Sequence, residues 1–191
     1  MANSKLIIVE GPQGVGKTTV TDFLRNTLAG TNLYRLSGTS DSTPTGKQKA
    51  KDMYEHLMGY TKGLENKSIN LVFDRTFFTE ENYCRLGKKD YIFTDVYEEL
   101  LKEFNNLDFE IYYINLYLNE KEDYKKRLLR EDKANVKYAA FSVENSVKQE
   151  EIYQQMSDEI KGNYKNINVL DLNNSEDKDI VQKKIREFIN Y

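Results

Sequence analysis

Gly11-Pro12-Gln13-Gly14-Val15-Gly16-Lys17-Thr18 carries the spacing of a loop that wraps phosphate oxygens. Glycines let the chain curl until successive N–H groups point inward at an anion, and a helix opening near Lys17 adds its positive end. Lys17 then reaches β- and γ-phosphates, and the Thr18 hydroxyl suits Mg²⁺. Gly11 through Thr19 is therefore a candidate site for ATP and its Mg²⁺. A second candidate is Asp74-Arg75, at the end of the apolar run Ile69 to Phe73. A guanidinium forks onto a phosphate where a lysine cannot. Asp74 is suited to hold a metal-bound water or to orient Arg75, the plain alternative being a strand-end salt bridge. Third, Arg127 and Arg130 lie three apart on one helix face and are placed to close over a transferring phosphoryl group. A solvated basic face is the competing reading.

Other chemistries are poorly served. One cysteine, Cys84, leaves no internal disulfide and no CxxC pair for zinc. A single histidine, His56, argues against a histidine metal site or a Ser-His-Asp triad. Lys and Arg number 28 against 31 Asp and Glu, which disfavours DNA or RNA as the main partner and leaves room for a locally basic cleft. A switch GTPase needs an N/TKxD motif, and Asn66-Lys67-Ser68-Ile69 lacks its Asp. The apolar run Leu6 to Val9 is too short for a signal peptide or a membrane span, so the expectation is a cytoplasmic protein.

The elements that must position these groups alternate strand and helix along all 191 residues, which predicts one domain, 1–191, with a lid around 120–145. Strands are expected at Leu6–Val9, Leu33–Leu36, Ile69–Phe73, Phe109–Leu118 and Ile167–Leu172. Between them, apolar residues at helical spacing mark helices, among them Val20/Phe23/Leu24/Leu28, Ala50/Tyr54/Leu57, Val96/Leu100/Phe104, Glu120 to Asp132, Ser142 to Ile160 and Ile180/Val181/Ile185. Ser37 to Gly46 reads as loop, and Asp95 with Glu98 is spaced as a capping pair. The pattern predicts an α/β fold, a five-stranded parallel sheet flanked by helices, with ligands beyond the carboxyl ends of its strands. The loop and the Asp-Arg pair both fall there.

Those residues resemble the thymidylate kinase-like P-loop kinases, neighbours of the deoxynucleoside kinases. Val9-Glu10-Gly11 through Lys17-Thr18-Thr19 is similar to the family's phosphate loop, and Asp74-Arg75-Thr76-Phe77 through Cys84 to its DRYxxSxxAYQ segment. Leu116-Tyr117-Leu118-Asn119 with Lys126-Arg127-Leu128-Leu129-Arg130 resembles the strand and basic lid. The resemblance implies that Arg75, with Arg35 beside it, holds an acceptor phosphate, and that Phe77, Phe78 and Tyr83 stack the acceptor base unless they are core. Because Gly14 stands where some members carry a loop arginine, it implies a catalytic arginine from the lid, Arg130 or Arg127. It implies a possible homodimer and a small nucleotide acceptor. Departures are Gln13 in place of an acidic residue, Tyr34 to Thr39 without the usual Glu or Pro, and Cys84 for a Gln. The expected reaction is ATP-dependent phosphorylation of a deoxypyrimidine nucleoside monophosphate, dTMP or a modified analogue. The alternatives are a hydroxyl acceptor, on a deoxynucleoside or a hydroxymethylated base in DNA, and a nucleotide-binding regulatory module without turnover.

Overall fold

The computed structural model of the chain describes residues 4–130 and 142–191, the side chain of Arg130 aside. Residues 131–141 of the expected lid therefore lie outside the described residues.

Five strands form one parallel sheet: β1 (Lys5–Glu10), β2 (Thr31–Arg35), β3 (Asn70–Asp74), β4 (Glu110–Tyr117) and β5 (Ile167–Asn173), in the order β2-β3-β1-β4-β5. Side chains alternate across a strand, and here each face meets helices, so β1 is apolar at successive positions. Leu6 and Ile8 join one core with Phe73 and Tyr113. Ile7 and Val9 join the other with Val72, Tyr112 and Ile114. The central strand ends with Val9 opposite Asp74 and Glu10 opposite Asn115. The carboxyl end of β1 is thus flanked by β3 on one side and β4 on the other, the crevice where such sheets bind ligands.

The helices are α1 (Lys17–Thr27), α2 (Pro44–Gly63), α3 (Phe77–Arg85), α4 (Thr94–Asn105), α5 (Lys121–Arg130), α6 (Val143–Asn163) and α7 (Lys178–Phe188). Two sequence expectations are corrected. Helix α2 opens at Pro44, inside the stretch read as loop, because a proline at the first helical position has the right φ and no N–H to satisfy. Asp95 and Glu98 do not cap α4: Phe93 precedes the helix without a side-chain cap, and Asp95 binds Lys47 Nζ at 2.8 Å. Helix α3 carries no amphipathic signal, since Thr79, Glu80, Glu81 and Asn82 are all buried. No helix among the described residues is long and apolar enough to cross a membrane.

Candidate active site

The phosphate loop leaves β1 at Gly11, whose φ of 147° is open only to glycine. A Cβ there would stand 2.7 Å from the Leu116 carbonyl oxygen on β4, so the close approach to the neighbouring strand fixes the residue as well. Gly16, left-handed at φ 99°, precedes α1 and offers no side-chain cap. The first N–H groups of α1 therefore lack a capping side chain, and an uncapped helix N-terminus is suited to an anion. Lys17 is buried, and its ammonium folds back to donate to the carbonyls of Gly11 and Pro12 at 2.7 and 2.8 Å. Phosphate oxygens offer the same donor a charged acceptor.

Beneath the loop lies a group that motif reading passes over. Glu10 is fully buried at the end of β1. Its carboxylate accepts from the Thr76 N–H at 2.7 Å, Thr79 Oγ1 at 2.7 Å and the Tyr153 hydroxyl at 3.0 Å. Burial pushes its pKa up to about 7, against the pull of those hydrogen bonds and of Lys17. The available sequence signal was an acid closing an apolar strand.

On the β3 side, Arg35 and Asp74 are in register, and Asp74 is 5% exposed. One oxygen of Asp74 accepts from Thr18 Oγ1 at 3.5 Å and stands 3.5 Å from Arg35 Nε. The other is buried without a hydrogen bond, its nearest cation being Arg75 Nε at 3.9 Å. An orphaned carboxylate oxygen beside a hydroxyl is a hard-oxygen pair, and Mg²⁺ binds through one or two such protein groups plus phosphates and water. Thr18 and Asp74 therefore fit that ion. Among the described residues no cluster of three His, Cys, Asp or Glu is arranged around a metal.

Arg75 follows with a left-handed backbone at φ 73°, its N–H bound to the Val9 carbonyl at 3.2 Å. A non-glycine residue there costs about 1–2 kcal/mol and persists only where its surroundings impose it. Thr18, Arg35, Ser37, Asp74 and Arg75 line a cleft of about 210 Å³.

The opposite flank is different. Arg127 of α5 donates to the Val15 carbonyl at 2.7 Å and to the Asn174 carbonyl. Asn174, after β5, donates its own amide to Val15 O at 2.7 Å. Together with Val20, Phe23, Val181 and Ile185 they wall a cavity of about 300 Å³ beside Gly16. A Cβ on Gly14, whose φ is 82°, would come 3.2 Å from the Leu128 side chain of α5, which would have to give way to any side chain there. Asn174 escaped sequence reading because no spacing ties it to the loop.

Arg35 is exposed and also paired with Asp22. Thr18 and Thr19 are exposed on the first turn of α1, and Tyr83 is half-buried with its hydroxyl toward Gln13. Phe77 and Phe78 go elsewhere: at 2% and 0% exposure they stack on one another, 4.4 Å between centroids, inside the core with Tyr97, Phe104 and Tyr113. Phe77 borders a cavity of about 20 Å³, too small for a base, so of the two readings of these rings, base stacking is corrected to core packing. Arg130 closes α5, and its side chain lies outside the described residues. His56 is exposed with Nδ1 on the Asp52 carbonyl. Cys84 has its thiol pushed up to about 12 by burial, an unreactive state.

No protein-family model and no curated protein sequence matches the chain. Among solved structures, the chain is similar over 100% of its length to a thymidylate kinase from Candida albicans, covering 92% of that chain at a TM-score of 0.66 and 18% identity. The protein has a P-loop nucleotide-kinase fold. More particularly, its fold is thymidylate kinase-like.

Proposed function

We propose that this chain transfers the γ-phosphoryl group of ATP to the phosphate of a deoxypyrimidine nucleoside monophosphate, dTMP or a modified analogue. The observation that carries the reading is the placement of two unlike cavities on opposite flanks of one phosphate loop, a base-sized one by Arg127 and Asn174 and a charged one by Arg75. The solved neighbour is a thymidylate kinase described as having broad substrate specificity, in keeping with an acceptor that is a nucleotide.

In this reading the Arg127–Asn174 wall takes the donor base, and loop N–H groups with Lys17 hold its phosphates. Arg75, aided by Arg35, holds the acceptor phosphate in line. An acceptor oxygen attacks the γ-phosphorus, the bond from phosphorus to the β,γ-bridging oxygen breaks, and ADP leaves with that electron pair. Phosphoryl transfer asks for alignment and charge neutralisation more than covalent help. Thr18 and Asp74 would hold Mg²⁺, which would supply part of that neutralisation. Arg130 is assigned to the transferring group because Arg127 is engaged with the donor wall.

Nucleosides, nucleoside monophosphates and hydroxymethylated DNA incubated side by side with γ-labelled ATP test this. Label is expected in a deoxypyrimidine diphosphate. Label confined to nucleoside or DNA hydroxyls would make the acceptor class wrong, and no transfer to any acceptor would favour a binding module.

A further inference from the structure

Gln13 belongs to the phosphate loop by position, yet its side chain leaves the phosphate cradle and turns to the β3 side. Its Oε1 accepts from Arg75 Nη2 at 3.4 Å, and its Nε2 donates to the Tyr83 hydroxyl at 3.3 Å. The main chain is clamped as well. Its N–H donates to Gln149 Oε1 at 3.1 Å, and its carbonyl accepts from Ser146 Oγ at 2.9 Å. Ser146 and Gln149 are buried on α6, and Asn82 of α3 donates to the Gln149 carbonyl at 3.0 Å. Two helices thus hold one loop residue, itself 7% exposed, so that its amide faces Arg75.

The chemistry of that amide matters. The Arg75 main chain is fixed by its bond to Val9, but the long side chain has several torsions left and a carboxylate 3.9 Å away at Asp74. A neutral acceptor steers a guanidinium without cancelling its charge, whereas a second carboxylate would compete with an incoming phosphate for the same fork. The guanidinium, a donor only, takes the amide oxygen, and the Tyr83 hydroxyl accepts from the NH₂ end and anchors it.

We propose that Gln13 is the positioning residue for Arg75: its neutral amide, fixed by Tyr83, Ser146 and Gln149, aims the guanidinium at the phosphate of a nucleoside monophosphate. The proposal rests on the phosphotransfer reading above and adds to it the means by which the acceptor grip is set.

The test is steady-state kinetics of wild type, Gln13→Glu, Gln13→Met and Tyr83→Phe, with ATP and the best monophosphate acceptor of the wild type, beside a thermal melt of each variant. Gln13→Glu should raise KM for the acceptor about tenfold or more while KM for ATP moves less than about threefold. Gln13→Met, which loses orientation but adds no charge, should show the same split at smaller size. Tyr83→Phe removes only the distal anchor and should raise acceptor KM about two- to fivefold. It keeps the test decisive if the loop variants do not fold. A role confined to holding the loop together would instead move both KM values with the melting temperature, and that result would overturn the proposal. So would acceptor KM within about twofold of wild type in the folded variants, or a Glu variant better than wild type. A wild type that phosphorylates no monophosphate overturns the phosphotransfer reading itself, and the proposal with it.

Discussion

On the α7 flank of the phosphate loop, hydrocarbon from Val20, Phe23, Val181 and Ile185 meets main-chain carbonyls that Arg127 and Asn174 tie together. On the β3 flank the lining is the Thr18 hydroxyl with the charged Arg35, Asp74 and Arg75, held mostly by one another. The first flank offers shape and a flat cationic wall, which suits a base. The second offers charge whose present partners a phosphate can displace. In the proposed reading one loop between them serves two ligands by two kinds of physics, and variants can be chosen that damage one flank at a time.

The largest effect is expected where the flanks meet. Lys17→Ala should lower turnover by on the order of 10³-fold with the melting temperature nearly unchanged, because the loop loses its cation on the transferring phosphates. Near-normal turnover with ATP would remove the loop from the mechanism. Arg75→Lys should follow, at about 10²-fold in kcat/KM for the acceptor with ATP binding preserved, since a point charge does not reproduce a fork. If ATP affinity collapses instead, Arg75 serves the donor side and the division between flanks fails.

Glu10 sharpens the comparison because it closes β1, the strand from which the loop between the flanks departs. Its folded pKa of about 7 stands above its ordinary 4.5, so the folded state binds the extra proton between those values. That contribution is complete below about pH 4.5 and is lost as pH rises through about 7. Wild type should lose on the order of 2 kcal/mol across that window relative to Glu10→Gln, whose stability carries no such slope. Parallel stability curves for the two proteins between pH 5 and 8 would contradict this. Smallest is Arg127→Ala, expected to raise KM for ATP about tenfold with acceptor KM unchanged. A fall in kcat at constant KM would instead move Arg127 from the donor wall to the transferring group.

The sheet and the phosphate loop were legible because their signals are local. Strands covered on both faces read as unbroken apolar runs, and the glycine-lysine spacing is a backbone requirement written in consecutive residues. Helix α3 was not legible as a helix, since Glu80, Glu81 and Asn82 are buried polar residues whose partners, such as Tyr91, Thr94 and Gln149, come from elsewhere. Burial of that kind cancels the amphipathic pattern from which helices are recognised. Phe77 and Phe78 illustrate the converse limit, in that an aromatic pair after a motif looks the same whether it faces a ligand or a core. The clamp on Gln13 joins residues 133 and 136 positions apart, which no spacing rule reaches.

The left-handed backbone at Arg75 bears on how this chain would respond to selection. A library of all residues at position 75, sorted only for soluble folded protein, should enrich glycine and asparagine, which accept that conformation cheaply. The same library sorted for turnover should return arginine. Consensus-style stabilisation applied without an activity screen would therefore erase the proposed acceptor grip while improving expression, a trade between robustness and catalysis concentrated in a single φ angle.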